Sequence, residues 1–202
     1  MSSDQPLGKE QILEAAEQVL RRYGPDKTSV MDVARALQVS HGTLYRHFPS
    51  KASLREAVTE RWLSHGISAP LAEIAGGTEG SYVARLRLWL ETLIGSKRTY
   101  AVSDPEMFAM YAAVTAEAAE VIDEHVNRLI GQMARIVEGG VRAGELRNVP
   151  PAETARAIFL ATSRFHHPAH SDEWTSERTD RDFEAVWKLL LNSISASPAD
   201  RP

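Results

Sequence analysis

The segment from Thr28 to Lys51 limits most strictly how this chain can fold, because it contains two short helical patterns only a few residues apart. The first pattern has apolar residues at i, i+3, i+4 and i+7, which are Val30, Val33, Ala34 and Leu37. One face of this short helix is therefore apolar and can pack against a core. Ser29 and Asp32 predict a capping box at its start.

A second short helix is predicted from His41 to Phe48, with Ser40 as its N-cap. Leu44 and Phe48 share one side of this helix and can point inward. The residues left nearer the outside are short, flexible or hydrogen-bonding: His41, Gly42, Thr43, Tyr45, Arg46 and His47. A helix fits the major groove of B-DNA, where its N-terminal residues reach base edges while neighbouring residues bind phosphates. The two patterns together predict a helix-turn-helix that binds DNA.

The same segment resembles the signature of the TetR family of bacterial transcription regulators, which is close to IA-x-x-A-G-V-S-x-G-T-L-Y-x-H-F-x-x-K. The matching residues are Val33, Ala34, Val39, Ser40, Gly42, Thr43, Leu44, Tyr45, His47, Phe48 and Lys51. In detail the resemblance covers the first third of the chain, and beyond it only length and helical character agree. Gln38 departs from the pattern, because the family usually has Gly at this turn position. If the turn geometry is kept, Gln38 must adopt a positive φ, at a cost of about 1 kcal/mol.

The predicted DNA-contacting residues lie on the second short helix and at the starts of its neighbours. His41 is the candidate for contacting base edges, while Gly42 lets the backbone approach closely. By resemblance to the family, Tyr45, His47 and Lys51 bind phosphates. The full predicted set is Thr28, Ser29, Ser40, His41, Gly42, Thr43, Tyr45, Arg46, His47 and Lys51. The alternative is that these are solvent-exposed polar residues on a small helical domain.

Composition is that of a soluble globular protein, with 202 residues of which 43% are hydrophobic and 25% charged. This length allows one large or two small domains. The chain has no cysteine, which excludes disulfides and thiolate metal sites. It has no run of 18 apolar residues and no signal-peptide pattern at its N-terminus, so we expect a cytoplasmic protein without membrane contact.

The net charge of −4 is negative, so its distribution along the chain decides whether a nucleic-acid partner is possible. Residues 1–65 contain nine Lys and Arg against eight Asp and Glu, whereas residues 66–202 contain fourteen against nineteen. The acidity therefore lies in the second part of the chain. Phosphate affinity depends on a local basic surface rather than on the total, so the charge distribution permits DNA binding.

The chain beyond Lys51 shows helical patterns and no sustained period-2 segment. It predicts an all-α fold of about nine helices, with an N-terminal three-helix DNA-binding domain over residues 1–49 and a larger domain for ligand sensing and dimerisation over residues 50–202. Pro70 is expected to kink or break the helix that starts at Lys51, and Gly76-Gly77 to end it. That helix is the predicted lever between the domains.

The last two helical segments carry more apolar residues than one packing contact needs, which suggests a homodimer interface of four helices about a two-fold axis. The predicted interface residues are Ile158, Phe183, Val186, Trp187, Leu190, Leu191 and Ile194. Intrachain core packing is the alternative.

A small-molecule site is predicted among large apolar residues of the C-terminal helices, with Arg164 available for an anionic group. The predicted lining is Trp89, Met107, Phe108, Tyr111, Phe159, Arg164, His166 and His167. The same apolar residues are also compatible with core packing. Three interpretations are open for His166, His167 and His170. They line a ligand pocket, lie at a helix end or interface, or form a metal site.

The sequence has no G-x-S-x-G, phosphate loop or dinucleotide fingerprint, and no enzyme activity or cofactor is expected. The resemblance implies a homodimeric transcriptional repressor that an unknown apolar or amphipathic effector releases from a near-palindromic operator in double-stranded DNA. Two alternatives remain. One is a DNA-binding regulator that has no ligand and acts through protein contacts. The other is a metal-responsive protein that uses His166, His167 and His170.

Overall fold

The computed structural model describes residues 7–196, and these residues form ten α-helices and no strand. The helices are α1 (Lys9–Tyr23), α2 (Val30–Ala36), α3 (His41–His47), α4 (Lys51–Leu63), α5 (Ala69–Gly76), α6 (Tyr82–Ser103), α7 (Pro105–Glu117), α8 (Ala119–Arg142), α9 (Pro151–Ala161) and α10 (Glu177–Ile194). The predicted all-α fold is confirmed, with one helix more than the approximate count.

Contacts between the helices divide the chain into two compact units. The first unit runs up to Leu63 and also includes Tyr100–Ile122, and the second comprises Ser64–Thr99 and the chain from Asp123 onward. The first unit therefore contains α7 as well as the four N-terminal helices. The predicted domain boundary at residue 49 stays a prediction, since compact units and independently folding domains need not coincide.

The core of the first unit forms where α1 packs on α2, α4 and α7, and where α3 packs on α2. The largest contribution to this core comes from apolar residues at helical spacing. They are Ile12, Val19, Leu20, Val30, Val33, Leu44, Phe48, Leu54, Val58, Trp62, Met107, Met110 and Tyr111. Burial of these stripes orients α3, because only its Leu44 side can face the core.

Ion pairs around the buried carboxylate of Glu17 connect three helices of this unit. Arg61 of α4 donates to one oxygen of Glu17, and Arg21 of α1 donates to the other at 3.2 Å. Arg21 also binds Asp104 at 3.0 Å, directly before α7, and this hydrogen bond is the main reason that the Arg21 pKa is raised. The Trp62 indole donates to the same Asp104 oxygen at 3.3 Å. The network thus joins α1, α4 and the start of α7.

The predicted helix caps are present at α2 and α3. At α2, the Ser29 hydroxyl accepts from the Asp32 N–H at 3.3 Å, while the Asp32 carboxylate accepts from the Ser29 N–H at 2.9 Å. At α3, the Ser40 hydroxyl accepts from the Thr43 N–H at 3.2 Å. Each of these bonds satisfies an N–H that the helix itself leaves unbonded. Local sequence therefore determines where both helices begin.

The turn between α2 and α3 places Gln38 at φ 55°, and Gln38 is the only non-glycine residue with positive φ among residues 7–196. Its N–H donates to the Arg35 carbonyl at 3.1 Å, and the Val39 N–H donates to the Ala34 carbonyl at 3.0 Å. This pair of bonds is the Schellman motif that commonly ends a helix, usually with glycine in the left-handed position. The positive φ predicted for Gln38 is confirmed.

The long segment after α3 is interrupted before Pro70. A π-helical turn, Ser64–Ser68, follows α4, and Pro70 lies in the first turn of α5, where its missing N–H costs no hydrogen bond. Where Pro70 was predicted to kink or break the helix, the chain stays helical and changes to a π turn just before it, and the predicted end at Gly76 is confirmed. Single π turns inside helical segments are frequent at functional sites.

The second unit has its core between α6, α8, α9 and α10, with Leu86, Trp89, Leu90, Leu93, Leu129, Met133, Ile136, Val137, Ile158, Phe159, Phe183 and Trp187 buried. Gly139 allows close packing in this unit, because a Cβ there would lie 2.1 Å from Cε1 of Tyr82. Gly131, also within α8, has nothing within 4 Å of its Cβ position. Its place in the helix is therefore not explained by a close contact.

The strained turn predicts an order of stability among Gln38 variants. Gln38→Gly should raise the free energy of unfolding by up to about 1 kcal/mol, because glycine adopts positive φ without steric strain. Gln38→Val should lower it by about 1 kcal/mol or more, because a β-branched residue fits this region poorly. Urea denaturation followed by circular dichroism measures both. Equal stabilities for the Gly and Val variants would contradict the turn geometry.

Candidate functional site

Helix α3 buries one side and leaves its other side open. Leu44 and the following Phe48 are buried, whereas Thr43 is half-buried between the two sides. The exposed residues of this segment are Ser40, His41, Gly42, Tyr45, Arg46 and His47. The structure therefore brings the residues predicted from the sequence onto one open face of polar and basic side chains, which we call the α3 face.

Contacts within the α3 face order several of its side chains. The rings of His41 and Tyr45 meet edge to face with centroids 4.2 Å apart. The hydroxyls of Ser40 and Thr43 lie 2.9 Å from each other. Tyr45 remains 41% exposed in spite of the ring contact. Side chains that are partly ordered before binding lose less conformational entropy when they contact a partner.

The residues predicted at the start of α2 are engaged within the first unit. Thr28 is buried, and its hydroxyl and its N–H both donate to the Gly24 carbonyl, at 2.8 and 3.2 Å. The Ser29 hydroxyl donates to the Asp32 carboxylate at 2.6 Å, which is the main reason that the Asp32 pKa is lowered. Thr28 therefore stabilises the turn before α2 and has no remaining donor for a phosphate. The half-buried Ser29 is in the same position, because its N–H also donates to the Asp32 carboxylate at 2.9 Å.

Lys51 lies exposed at the first position of α4. Its ammonium group donates to the Asp26 carbonyl at 3.2 Å. Because an ammonium has three N–H donors, two remain for other acceptors. Lys51 thus adds a positive charge close in sequence to Arg46 and His47 of the α3 face.

The residues predicted to line an effector site are divided between the two units. In the first unit, Met107, Phe108 and Tyr111 of α7 are buried, and burial raises the pKa of the Tyr111 phenol. In the second unit, Trp89 and Phe159 are buried. All five are thus placed inside the protein and away from its surface, as a pocket lining and a packed core both require.

Arg164 lies on the surface of the second unit, where it forms an ion pair with Glu173. It lines an outer groove together with Phe165, Thr179 and Val186. The sequence suggested Arg164 as a partner for an anionic ligand inside the helical domain. Its exposed position directs it to solvent instead, because it follows the end of α9.

The three histidines near residue 168 point to different surroundings. His166 is buried, with Nε2 3.4 Å from the Thr162 hydroxyl. His167 is exposed and its Nδ1 accepts from the Ala169 N–H at 3.3 Å, while His170 lies 3.3 Å from Glu173. Within residues 7–196 no group of three or more His, Asp or Glu is arranged to bind a metal ion. The buried His166 and the exposed His167 thus lie in different surroundings, while the rings of His167 and His170 have centroids 6.3 Å apart.

The predicted interface residues fall into two groups. Ile158, Phe183, Trp187 and Ile194 are buried within their own unit, whereas the others are half-exposed: Val186, Leu190 and Leu191. The most exposed large apolar residues of α9 and α10 are Leu160 and Leu189, at 58% and 71%. Sequence reasoning missed both, because the apolar pattern alone does not show which side of a helix the core already covers.

Two further basic residues are buried, and sequence reasoning missed Lys97 as a site candidate. Lys97 of α6 is 2% exposed, and His125 of α8 is 4% exposed. The signal for Lys97 was its register, since it follows Leu93 by four residues and Trp89 by eight on the buried stripe of α6. A charged residue on such a stripe is rare unless it has a role there.

Two family models match the chain. The model described as "Bacterial regulatory proteins, tetR family" matches residues 12–58, and "Tetracyclin repressor-like, C-terminal domain" matches residues 83–187. Both describe regulators of transcription rather than enzymes. In the described part of the chain, no helix is sufficiently long and apolar to cross a membrane.

Individual relatives agree with these models. The transcriptional regulator YvdT of Bacillus subtilis is 40% identical over 62 residues, which cover 30% of this chain and 32% of that protein. The chain thus matches about a third of the length of this curated relative. A structure of a TetR-family regulator from Mesorhizobium loti superposes with a TM-score of 0.70 at 17% identity, over 93% of this chain and 96% of that chain.

A third similar protein is the transcriptional regulator FadR of Bacillus subtilis, in complex with stearoyl-CoA. Its TM-score is 0.60 at 18% identity, over 91% of this chain and 98% of that chain. At such identities the two structural similarities concern the fold alone. Together with the helix-turn-helix geometry and the family models that match both parts of the sequence, they lead to one conclusion. This chain belongs to the TetR family of DNA-binding transcriptional regulators.

Proposed function

We propose that the protein is a homodimeric repressor that binds a near-palindromic operator and is released from it by a small-molecule effector. The observation that carries the proposal is the α3 face, an exposed polar and basic surface on the second helix of a helix-turn-helix. A second helix of this kind lies in the major groove when such motifs bind DNA. Two α3 helices in a dimer would contact half-sites about one or two helical turns apart.

The side chains of the α3 face divide into two roles. His41, at the start of α3, contacts base edges, and Gly42 beside it lets the backbone approach closely. Tyr45, His47 and Lys51 bind phosphates, with further polar contacts from Ser40, Thr43 and Arg46. The exposure of Tyr45, His47 and Lys51 and the remaining donors of the Lys51 ammonium support this division.

Dimerisation through α9 and α10 is supported by the apolar residues on their outer sides. Leu160 and Leu189 expose more than half of their surface, and Val186, Leu190 and Leu191 are half-exposed next to them in sequence. Covering these residues with the same pair of helices from a second copy would form a four-helix bundle. The buried members of the predicted set then support the interface from inside.

Effector release is supported by the place of α7 in the first unit. Arg55 of α4 lies 3.7 Å from Glu117 of α7, and Trp62 and Tyr111 have ring centroids 5.9 Å apart. An effector that contacts Met107, Phe108 or Tyr111 and displaces α7 would therefore displace α4 as well. A changed position of α4 alters the spacing of the two α3 helices and lowers operator affinity. The stearoyl-CoA bound to the FadR neighbour is compatible with an amphipathic effector.

Phosphate contacts predict the effect of two substitutions on operator binding. Tyr45→Phe and His47→Ala should each weaken binding to the DNA selected by the wild-type protein from a random-sequence pool, by about five- to tenfold. The loss should be similar for specific and unrelated DNA, because phosphates carry no sequence information. Fluorescence anisotropy across a salt series measures it, and in the same series Lys51→Ala, which removes a charged contact, should lower the slope of log K against log salt by about one.

The matched control is Lys188→Ala, which removes an exposed basic residue of α10. Its operator affinity and salt slope should equal those of the wild-type protein. Wild-type affinity in both Tyr45→Phe and His47→Ala would refute the assigned phosphate contacts. Operator binding that is independent of salt would refute phosphate contacts altogether.

His41 predicts a different kind of defect. His41→Ala should relax the preference for one base pair in each half-site by about 1–3 kcal/mol of discrimination while leaving binding to unrelated DNA almost unchanged. Repeating the selection from a random pool with the variant measures this preference base by base. An unchanged consensus would show that His41 does not contact a base.

The connection of α7 to the ion-pair network predicts a variant in which a displacement of α7 has less effect on α4 and on operator affinity. Asp104→Asn keeps an acceptor for Trp62 but removes the ion pair with Arg21, so α7 should move with less effect on α4. For a compound that releases the wild-type protein from its operator, the ratio of operator Kd values with and without compound should fall several-fold in the variant. Asp182→Asn, which removes an exposed ion pair on α10, should leave this ratio unchanged. Equal ratios in the two variants would refute the route through α7.

A further inference from the structure

A groove on the surface of the first unit lies between α1 and α2, and we call it the α1–α2 groove. It has a volume of about 690 Å³. Arg22 and Tyr23 of α1, Lys27 of the connecting turn and Arg35 of α2 line it, together with apolar residues of both helices. None of these residues is among the DNA contacts assigned to the α3 face.

The charge that the groove presents to solvent is positive. Three lining residues are basic, namely Arg22, Lys27 and Arg35, and the acidic residue of the lining is Asp32. The Asp32 carboxylate is already bound, because it accepts from the Ser29 N–H at 2.9 Å and from the Arg35 guanidinium at 2.9 Å. Among the described residues, Arg22 and Lys27 form no ion pair. Their charges are therefore available to an anion from outside the chain.

The α1 side of the groove holds a guanidinium over an aromatic ring. The guanidinium carbon of Arg22 lies 5.4 Å from the centroid of the Tyr23 ring, and both side chains are exposed. An arginine that stacks on a ring keeps its N–H donors at the edge of the guanidinium plane, where a phosphate can bind them. Stacking also restricts the side chain before binding, so less conformational entropy is lost when an anion binds.

One end of the α1–α2 groove lies beside the Lys51 ammonium. Lys51 donates to the Asp26 carbonyl at 3.2 Å, and this carbonyl belongs to the peptide bond that joins Asp26 to Lys27 of the groove lining. The groove is thus continuous with a proposed phosphate contact. No residue of α3 lines it, so DNA in this groove lies outside the base pairs that α3 would contact.

We propose that the α1–α2 groove binds phosphates of the DNA that flanks each half-site, so that the protein recognises operator flanks by charge and not by sequence. This inference rests on the proposed function and adds a second DNA-binding surface to it. Successive phosphates of one strand rise by about 3.4 Å along the duplex axis, so a strand that contacts Lys51 brings its next phosphates towards Lys27 and Arg22. The ammonium and the guanidinium donate to the phosphate oxygens.

Position favours DNA over an acidic segment of another protein as the occupant. In the proposed complex the DNA backbone lies at Lys51, and the groove begins at the residue next to the Lys51 contact. A separate acidic partner would have to share this place with the DNA backbone. A cationic ligand would meet Arg22 and Lys27 as like charges, which is unfavourable.

The test compares two duplexes built from the operator that the wild-type protein selects from a random-sequence pool. The short duplex ends at the outer base pair of each half-site, and the long duplex continues at each end for about ten base pairs, one helical turn. The wild-type protein should bind the long duplex at least about tenfold more tightly. Changing the sequence of the added base pairs should alter this ratio by less than about twofold, since phosphates carry no sequence information.

Neutralising the groove should remove the preference for the long duplex. In the double variant Arg22→Gln/Lys27→Gln, the ratio of the two Kd values should fall to about two. The slope of log K against log salt on the long duplex should fall by about two, one for each charge removed. Fluorescence anisotropy across a salt series measures the ratio and the slope.

Two further double variants separate the effect of these charges from other effects. Arg135→Gln/Arg142→Gln removes two exposed basic residues of α8 and changes the net charge equally. It should keep the wild-type ratio and slope, and any gain from DNA length alone will appear in it. Arg22→Lys/Lys27→Arg keeps both charges and should retain most of the preference for the long duplex.

Several outcomes would overturn the inference. They are equal binding of both duplexes by the wild-type protein, a wild-type ratio in Arg22→Gln/Lys27→Gln, or an equal loss of the ratio in the α8 variant. Binding of a poly-glutamate peptide to the wild-type protein but not to Arg22→Gln/Lys27→Gln, with an unchanged DNA ratio, would assign the groove to an acidic protein segment instead. Each of these outcomes leaves binding of the short duplex intact. Failure of the wild-type protein to bind either duplex would refute the proposed function itself.

Discussion

The carboxylate of Glu17 is the group on which the arrangement of the first unit depends. It is buried on α1 and accepts from Arg21 and Arg61, so it joins α1 to α4. Through Arg21 the same network continues to Asp104 at the start of α7. A buried charge that lost one of these partners would be only partly compensated, which makes such a network costly to distort. The helices that support the helix-turn-helix are therefore joined to α7, and the proposed release by an effector relies on this connection.

The helix-turn-helix was accessible from sequence because its determinants are local. The caps at Ser29 and Ser40 depend on residues three positions apart, and the left-handed turn at Gln38 follows from the position where glycine is usual. The burial of Leu44 likewise follows from helical period alone. Interactions of this range are encoded in a few neighbouring residues, so a single sequence is sufficient to read them. An irregularity at Pro70 could be predicted for the same reason, although the π-helical form that it takes could not.

Other features depend on which helix faces which, and the sequence does not contain that information in a local form. Asp104 pairs with Arg21 across 83 positions, and no periodicity predicts such a partner. Phe183 and Trp187 were expected at a subunit interface, yet they are buried within their own unit, since an apolar stripe does not specify what covers it. Lys97 was overlooked for the opposite reason. A search for apolar residues at helical spacing passes over a lysine on the same stripe, although a charge at such a position carries more information than another leucine.

The exposed charges of the α3 face have a consequence for regulation. Arg46 and Lys51 are exposed, so their attraction to phosphates weakens as salt screens it and makes the release of counterions less favourable. Ionic strength would therefore adjust the affinity for the operator. An effector that lowers operator affinity by a fixed factor would release the operator more completely as salt rises, because the affinity it starts from is already lower.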